Sequence, residues 1–363
     1  MSNFFSLPVK HIKKETDDAV SIYFDIPHNL KDTYAYQHGQ YLTIRTMIGG
    51  KEQRRAYSIF TSPLDGEMAI GVKKVSKGLV STFLCEKLKE GHELQVMPPE
   101  GRFTTPLSID ARKDYYLFAA GSGITPLMSI LTTILETEPM STVYLLYGNT
   151  SENTVMFNQK LSELEKKYAG QLIVEHILSQ PQREKAGFFS KGKITWLGKT
   201  GRIDAAIVEN FLTDNPMRSK EAVYFICGPN GMMATVELTL KARGIDKKHL
   251  HVEHFNNDGV IVDPSVGGIT VDGAQLTVTF MKKTHTVTVP KGEKILDTLL
   301  KNKIDAPYSC TSGACSTCMA KVTSGTVKMD VCFALDESEI TAGYVLTCQA
   351  RPTSDIVELT FDH

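Results

Sequence analysis

The spacing of apolar and polar positions changes twice along the chain. Up to about residue 108, short apolar runs are separated by clusters of Gly, Pro and Asp, which is typical of strands in a small antiparallel β-barrel. One helix is predicted within this part, over about Val80–Leu88. The strand-like runs are Val20–Phe24, Tyr41–Ile44 and Met68–Val72.

From about residue 113 to residue 253, the apolar runs become continuous, as expected of parallel strands that are buried on both faces. Helical patterns lie between them, including Leu161–Tyr168 and Gly231–Ala242. Alternating strands and helices predict a doubly wound α/β domain. The four apolar runs are Tyr115–Ala119, Val143–Tyr147, Leu172–Val174 and Val223–Ile226.

A third pattern follows residues 256–271, a stretch rich in Gly, Asn and Asp that we interpret as a linker between domains. Alternation over Leu276–Phe280 and Val287–Val289, around Lys282–Thr284, predicts a β-hairpin. Ile295–Leu300 then gives one apolar face of a helix. The predicted domains therefore cover residues 1–110, 111–255 and 272–363.

Composition excludes some classes of function. The 40 Lys and Arg residues balance 41 Asp and Glu residues, which argues against bulk attraction to nucleic acid or to an anionic membrane. The N-terminal stretch lacks the apolar core of a signal peptide, and no run reaches the ~20 apolar residues that cross a bilayer. We therefore expect a cytoplasmic protein without a membrane span.

The 7 cysteines are unevenly distributed, which points to metal ligation. Cys310, Cys315 and Cys318 have the C-x4-C-x2-C spacing of plant-type [2Fe-2S] centres, and Cys348 follows as the fourth ligand. Small residues between them let backbone amides turn towards the sulfurs. A structural zinc site is the alternative, although zinc sites more often use paired C-x2-C units. Cys332 lies outside this spacing and is predicted to be an apolar filler.

Two runs in the first domain suit an anionic flavin nucleotide. In the run Arg54–Ser58, a guanidinium can pair with a phosphate, an aromatic ring can pack on the isoalloxazine, and a hydroxyl can bond near its reactive nitrogen. Lys77–Thr82 places a glycine turn at a helix N-terminus, which offers amides to a pyrophosphate. The alternatives are a plain barrel strand and a simple helix cap.

Two further glycine turns follow strands of the α/β domain. Phe118–Pro126 contains glycines that permit close approach of a phosphate, and Pro126 suits a first helical turn. Ile226–Met232 repeats the order strand, glycine, helix. The first turn departs from the G-x-G-x-x-G fingerprint, but two such turns in one domain favour nucleotide binding over a purely structural role.

Taken together, these runs resemble the ferredoxin–NADP reductase superfamily, in the order found in reductase components of bacterial oxygenases. The likeness covers the whole chain, and Pro307–Cys310 through Gly343–Cys348 is its most specific part. It implies a multidomain fold: an antiparallel β-barrel flavin domain, a doubly wound α/β nucleotide domain and an α+β β-grasp ferredoxin domain. It also implies FAD, a [2Fe-2S] cluster and NADH or NADPH as cofactors.

The resemblance assigns roles to individual positions. It implies that Ser58 positions the hydride acceptor and that Cys227 lies beside the nicotinamide, so both are the predicted catalytic residues. The remaining assignments are the flavin motif Arg55, Ala56, Tyr57 and Ser58, the FAD pyrophosphate loop Gly78, Leu79, Val80 and Ser81, the nicotinamide-nucleotide loop Gly121, Gly123, Thr125 and Pro126, the turn Gly228 and Pro229, and the cluster ligands Cys310, Cys315, Cys318 and Cys348.

Two positions depart from the family pattern, and a third matches it in a different setting. Thr150 and Gln180 stand where several NADPH-using relatives carry arginine, so the choice between NADH and NADPH stays open. Phe255 matches an aromatic residue that ends single-domain relatives and stacks on the flavin, but here the chain continues past it. A core strand residue is the alternative for Phe255.

A nicotinamide gives two electrons as hydride while an iron–sulfur cluster accepts one, so a flavin must lie between them. The resemblance implies an oxygenase as the final acceptor, in aromatic or phenylacetyl-CoA catabolism. The alternatives are a reductase for a different hydroxylase, a flavodoxin or a haem protein, and a non-catalytic module that binds metal and nucleotide.

Overall fold

The computed structural model of the chain describes residues 4–184, 193–255 and 270–362. This part of the chain forms two compact units. Of the described residues, the larger unit comprises 5–53, 57–184 and 193–253, and the smaller comprises 254–255 and 270–362 together with Phe4 and Arg54–Ala56.

The first strands form an antiparallel sheet. They are β1 (Phe5–Thr16), β2 (Ala19–Phe24), β3 (Tyr41–Ile48), β4 (Lys51–Ser58), β5 (Met68–Lys73) and β6 (Glu93–Val96). Their order across the sheet is β4-β3-β6-β1-β2-β5. Ile59, directly after β4, pairs with Ile70 of β5 and so closes the sheet into a barrel. Gly49 and Gly50 adopt positive φ of 59° and 75° in the turn between β3 and β4, a conformation that other residues disfavour.

The barrel is filled by alternate residues of its strands, with Ile22, Leu42 and Ile44 fully buried. Helix α1 (Leu79–Glu86) packs Val80 and Leu84 into the same core. The predicted helix is confirmed, but it ends at Glu86 rather than at Leu88. The amide of Leu88 donates back to the carbonyl of Phe83, which closes the last turn.

A second sheet of the larger unit is parallel throughout. Its order is β10-β9-β8-β7-β11-β12, with β7 (Asp114–Ala120), β8 (Thr142–Asn149), β9 (Leu172–Leu178), β10 (Lys199–Thr200), β11 (Ala222–Cys227) and β12 (Leu250–Glu253). The helices are α2 (Ile124–Thr137), α3 (Asn158–Lys167), α4 (Ala205–Asp214) and α5 (Asn230–Ala242). Both faces are covered, which confirms the doubly wound prediction.

The two faces of this sheet bury separate sets of side chains. Leu117 of β7 joins the core beneath α2 and α3, whereas Phe118 joins the core beneath α4 and α5. On the second face, Tyr116, Tyr144 and Tyr224 stand side by side on β7, β8 and β11 in register. Their rings stack with centroids 4.9 Å and 5.3 Å apart. This row of three rings is called the tyrosine row.

The barrel and the α/β layers share one core within the larger unit. Phe60, next to the barrel strands, packs on Phe157 with ring centroids 4.6 Å apart. The hydroxyl of Ser129 on α2 donates to the carbonyl of Thr61 at 2.6 Å. These contacts hold the end of β4 against the first helix of the nucleotide domain.

The smaller unit has the β-grasp fold. Its five-stranded sheet has the order β14-β13-β19-β15-β17, and β13 and β19 run parallel in its interior. The strands are β13 (Ala274–Phe280), β14 (Lys283–Val289), β15 (Met319–Ser324), β17 (Tyr344–Leu346) and β19 (Ile356–Thr360), with β16 (Val327–Met329) and β18 (Ala350–Pro352) paired apart. The described part of this unit also contains helices α6 (Ile295–Lys301) and α7 (Glu337–Thr341).

The predicted hairpin is confirmed, with a shorter turn than expected. Met281 and Lys282 form the turn, both with positive φ, and Lys283 and Thr284 already belong to β14. The predicted linker 256–271 lies outside the described residues except for its last two positions. Within the described ranges, every helix is too short or too polar to span a bilayer.

Candidate functional site

The two glycine turns of the nucleotide domain meet at the carboxyl ends of β7 and β11. From β7 the chain continues to β8 on one side of the sheet, and β11 lies on the other side, so a crevice opens between β7 and β11. A Cβ on Gly123 would lie 2.1 Å from the carbonyl oxygen of Cys227 and 2.8 Å from the amide nitrogen of Gly228. Only glycine at position 123 allows the two turns to touch.

The first turn is built to present backbone amides. Residues Gly121–Gly123 form a single 3-10 turn that leads into α2, and Gly121 has a positive φ of 55°. The Thr125 hydroxyl donates to the carbonyl of Ser122 at 2.9 Å, and Pro126 occupies the first turn of the helix. A long helix with its N-terminus at the crevice suits the pyrophosphate of a dinucleotide.

A buried carboxyl group lies in the same region. Glu253 ends β12, directly opposite Cys227 in the parallel pairing of β11 and β12. Ser58, buried at the end of β4, donates its hydroxyl to the Glu253 carboxylate. Burial raises the pKa of Glu253 to about 8, and the Ser58 hydrogen bond offsets a part of this rise. Glu253 therefore holds a proton at neutral pH.

The second carboxyl oxygen of Glu253, Oε2, is buried and has no hydrogen-bond partner among the described residues. A buried polar atom of this kind needs a partner, and a ligand that enters the site can supply it. Burial also raises the pKa of the Cys227 thiol, and the charge that Glu253 acquires above its own pKa adds to the effect. Cys227 is therefore a neutral thiol and does not act as a nucleophile.

Strand β4 carries the predicted flavin motif. Ser58 is buried, Ala56 and Tyr57 are half-buried, and Arg55 is exposed. Tyr57 packs against the barrel core, while Arg55 donates to the carbonyl of Arg54 at 2.6 Å. A half-buried ring beside an exposed guanidinium fits a flavin that carries a phosphate outside the barrel.

Helix α1 begins where the pyrophosphate loop is predicted, with Gly78 as its N-cap. A Cβ on Gly78 would lie 2.6 Å from the Ser81 hydroxyl oxygen. That hydroxyl accepts the amide of Val75 at 3.1 Å, so Ser81 holds the loop closed. The Leu79 side chain is exposed and Val80 is buried, and both are apolar. This turn therefore offers a ligand its backbone amides.

The cysteine loop lies in the smaller unit, between α6 and β15. Cys315, Cys318 and Cys348 are buried, and Cys310 is half-buried. The amides of Ser312 and Cys315 donate to the Cys310 sulfur at 3.4 Å and 3.3 Å. Thr311 and Gly313 take positive φ, which turns the loop inward. Backbone amides directed at sulfur are the surroundings that an iron–sulfur cluster requires.

The four predicted ligands contact one another through their sulfurs. The thiols of Cys315 and Cys348 donate to the Cys310 sulfur, which lowers the pKa of Cys310, and Cys348 also contacts Cys318. Four thiols in one connected group are the donor set of a [2Fe-2S] cluster. In the described ranges, no three His, Cys, Asp or Glu side chains are arranged around a point suited to a single metal ion.

Family models match all three parts of the chain. Residues 6–105 match an oxidoreductase FAD-binding domain, residues 117–237 an oxidoreductase NAD-binding domain, and residues 278–353 a 2Fe-2S iron-sulfur cluster binding domain. The third match includes all four predicted ligands, so the cluster prediction is confirmed over the zinc alternative at the level of the domain.

Relatives match over nearly the full length. A subunit of 1,2-phenylacetyl-CoA epoxidase from Escherichia coli (strain K12) is 37% identical over 100% of this chain and 99% of its own. The chain belongs to the ferredoxin–NADP reductase superfamily. The ferredoxin reductase component of 3-ketosteroid-9-alpha-monooxygenase from Rhodococcus rhodochrous is 36% identical, over 98% of this chain and 96% of its own.

A solved structure has the same fold. Phthalate dioxygenase reductase is 21% identical, with a TM-score of 0.58 over 99% of this chain and 98% of its own. The present member of the superfamily is an NAD(P)H-dependent oxidoreductase with FAD and [2Fe-2S] as cofactors. Its electrons pass from the nicotinamide through the flavin to the cluster, as predicted from the sequence.

The structure separates the predicted site residues into groups. Gly123 and Cys227 meet in the larger unit, where Ser58 contacts Glu253, the strand partner of Cys227. The four cysteines meet in the smaller unit. Cys332 is half-buried against the core of the smaller unit, as a filler would be. Phe255 follows the end of β12 and is 40% exposed, so the alternative of a core strand residue is wrong.

Glu253 is a site residue that the sequence did not reveal. The segment His251–Phe255 attracts attention for its aromatic residue, and no role was predicted for the acid. The available signal in the sequence was an acidic residue directly after the apolar Val252. Its importance emerges only when β12 pairs with β11 and places Glu253 opposite Cys227.

Proposed function

We propose that this chain is the reductase component of an oxygenase system, which oxidises NADH or NADPH and delivers electrons singly to a partner oxygenase. The observation that carries the proposal is the presence of FAD-binding, NAD-binding and 2Fe-2S modules in one chain that covers 96% of a monooxygenase ferredoxin reductase component. FAD, when bound, accepts a hydride and releases its electrons one at a time, which reconciles donor and cluster.

In this proposal Ser58 and Glu253 act together at the reacting end of the flavin site. The protonated carboxyl of Glu253 and the Ser58 hydroxyl form a buried pair that keeps water out and orients a hydrogen-bond donor into the site. Gly123 and Gly228 bring the two turns close enough for the nicotinamide to lie beside Cys227. The roles of these residues are positioning and proton placement.

The remaining residues bind the phosphates and the irons. Arg55 and the amides of Gly78–Ser81 hold the flavin phosphates, with Tyr57 and Ala56 against its ring. Gly121, Thr125 and Pro126 form the phosphate turn of the nicotinamide nucleotide, and Pro229 begins the helix after the second turn. Cys310, Cys315, Cys318 and Cys348 ligate the two irons. We assign residues 1–110 to the flavin domain, 111–255 to the nucleotide domain and 272–363 to the ferredoxin domain, with a cytoplasmic location.

For the acceptor we propose an oxygenase that acts on a CoA thioester or an aromatic compound. The support is the full-length similarity to a phenylacetyl-CoA epoxidase subunit, at 37% identity. Reconstitution with each class of oxygenase, with substrate-dependent NAD(P)H consumption as the readout, distinguishes the two acceptors. If NAD(P)H consumption is not coupled to substrate turnover with either class of oxygenase, this part of the proposal is contradicted.

The central experiment is a visible spectrum of anaerobically purified protein before and after addition of NADH or NADPH, with iron and acid-labile sulfide assayed in parallel. We expect flavin and cluster bands that both bleach, and about two irons and two sulfides per chain. Bleaching with one nucleotide only names the physiological donor. A colourless protein that contains zinc would overturn the proposal.

A further inference from the structure

Gln349 is a polar residue in an unusual position. It directly follows Cys348, and its side chain is completely buried beneath the loop that joins Cys310 to Cys315. A Cβ on Gly313 of that loop would lie 3.1 Å from the Gln349 Cγ, so the glutamine stem packs tightly against the loop. Burying an amide is costly unless its donors and acceptor all have partners.

All polar atoms of the Gln349 side chain have partners. Nε2 donates to the carbonyl of Thr311 at 2.9 Å and approaches the Cys348 sulfur at 3.6 Å, a distance at which the larger sulfur atom still accepts. Oε1 accepts from the ammonium of Lys294 at 3.1 Å. One side chain thus joins the loop, the fourth sulfur and a lysine.

The orientation of this amide is fixed by chemistry. An ammonium group can only donate, so the atom that faces Lys294 must be the amide oxygen. A carbonyl can only accept, so the atom that faces Thr311 must be the amide nitrogen. Both partners demand the same orientation, and the second N–H of Gln349 is therefore directed at the Cys348 sulfur.

Lys294 is itself held in place. Its ammonium lies 3.4 Å from the carboxylate of Asp330, which accepts two further bonds from the guanidinium of Arg351 at 2.9 Å and 2.8 Å. The amide of Asp330 donates to the backbone carbonyl of Gln349 at 3.0 Å. The Asp330 side chain is only 7% exposed, so these bonds are shielded from water.

We propose that Gln349 is a positioning residue of the electron-transfer site, which donates an amide N–H to the Cys348 sulfur and thereby makes the cluster easier to reduce. This inference rests on the proposed function, in which Cys348 is a ligand. A thiolate in the cluster is a stronger acceptor than the thiol of the free chain, and reduction increases the negative charge on it. A donor directed at sulfur stabilises the reduced state more than the oxidised state.

The same amide also restrains the loop. Thr311 has a positive φ of 57°, which is unfavourable for a β-branched residue. The bond from Gln349 to the Thr311 carbonyl holds this conformation, in which the following amides face the Cys310 sulfur. Removing the amide therefore loosens the donors of a second ligand.

The test is a redox titration of the complete holoprotein, followed by electron paramagnetic resonance of the reduced cluster. Gln349→Met keeps the length of the side chain and removes the amide. We expect the ratio of reduced to oxidised cluster at a fixed potential to fall about tenfold, which equals a shift of ~59 mV for one electron. Lys294→Met, which touches no ligand, removes the group that orients the amide and should lower the ratio about threefold.

Lys291→Met is the control for the loss of a lysine charge, because Lys291 is exposed and contacts Asp272 through its backbone amide. It should leave the ratio unchanged. If wild type lacks two irons per chain, the proposed function fails first. If Gln349→Met and Lys294→Met carry full clusters with an unchanged ratio, the inference alone is overturned. If Gln349→Met does not assemble a cluster, the Lys294→Met titration decides.

Discussion

Replacing Glu253 with glutamine should change how stability depends on pH. Burial raises the pKa of Glu253 to about 8, from a usual value of 4.5. Between these pH values the folded protein retains a proton that the unfolded chain releases, so the folded state loses ~1.4 kcal/mol for each pH unit of increase. The total cost to wild type above pH 8 is about 5 kcal/mol. The Glu253→Gln variant does not incur this cost, because its neutral amide mimics the protonated acid.

Glu253→Gln should therefore match wild type near pH 4, and its advantage over wild type should be roughly 2 kcal/mol larger at pH 8 than at pH 6. The assay is urea unfolding at several pH values, with excess FAD present for both proteins so that ligand binding contributes equally. The fluorescence of the single tryptophan, Trp196, reports on the unit that contains Glu253.

The matched control is Glu163→Gln on the exposed face of α3, which should follow the wild-type pH dependence. The reasoning is refuted if the stability difference between Glu253→Gln and wild type stays constant from pH 5 to pH 8. A difference that grows as the pH falls would mean that Glu253 is ionised in the folded protein.

Three further predictions concern the turns, the cluster and the hydride site. Gly123→Ala should lower the rate of NAD(P)H-dependent flavin reduction more than tenfold, because its Cβ meets the Cys227 carbonyl. Gly231→Ala, whose Cβ meets no described atom within 4 Å, should keep full activity and stabilise α5 by ~0.5–1 kcal/mol. Stopped-flow kinetics measure the rates, and thermal unfolding measures the stability. Cys318→Ser should lose the two irons and Cys332→Ser should keep them, as measured by iron analysis. Ser58→Ala should slow flavin reduction about tenfold, the equivalent of one hydrogen bond of ~1.4 kcal/mol, and an unchanged rate would remove Ser58 from the site.

Most of the fold followed from local patterns. Continuous apolar runs such as Tyr115–Ala119 can only be buried between two layers of helices, and this is where β7 lies. The cluster ligands were equally accessible, because three of the four are within nine residues of one another. Spacing along the chain carries the chemistry in such cases.

The rest depends on pairing between distant segments. Glu253 becomes a buried acid only because β12 lies beside β11 and because Ser58 arrives from the barrel. Gln349 gains its role from Lys294 and Thr311, 55 and 38 positions away along the chain. No local sequence pattern predicts such contacts. A glutamine after a cysteine cannot be distinguished from any other polar residue by its sequence neighbours.

The tyrosine row fixes the register of three parallel strands and thereby affects a site that it does not contact. Tyr116, Tyr144 and Tyr224 face the same way only in one register, and a slip of one residue would turn a ring to the opposite face of the sheet. The same slip would displace the turn at the strand end by ~3.3 Å, more than the clearance between Gly123 and Cys227 tolerates. The register held by these core rings therefore sets the position of the turn at the nucleotide crevice. Substitutions that repack the rings would alter the nucleotide site as well as the core.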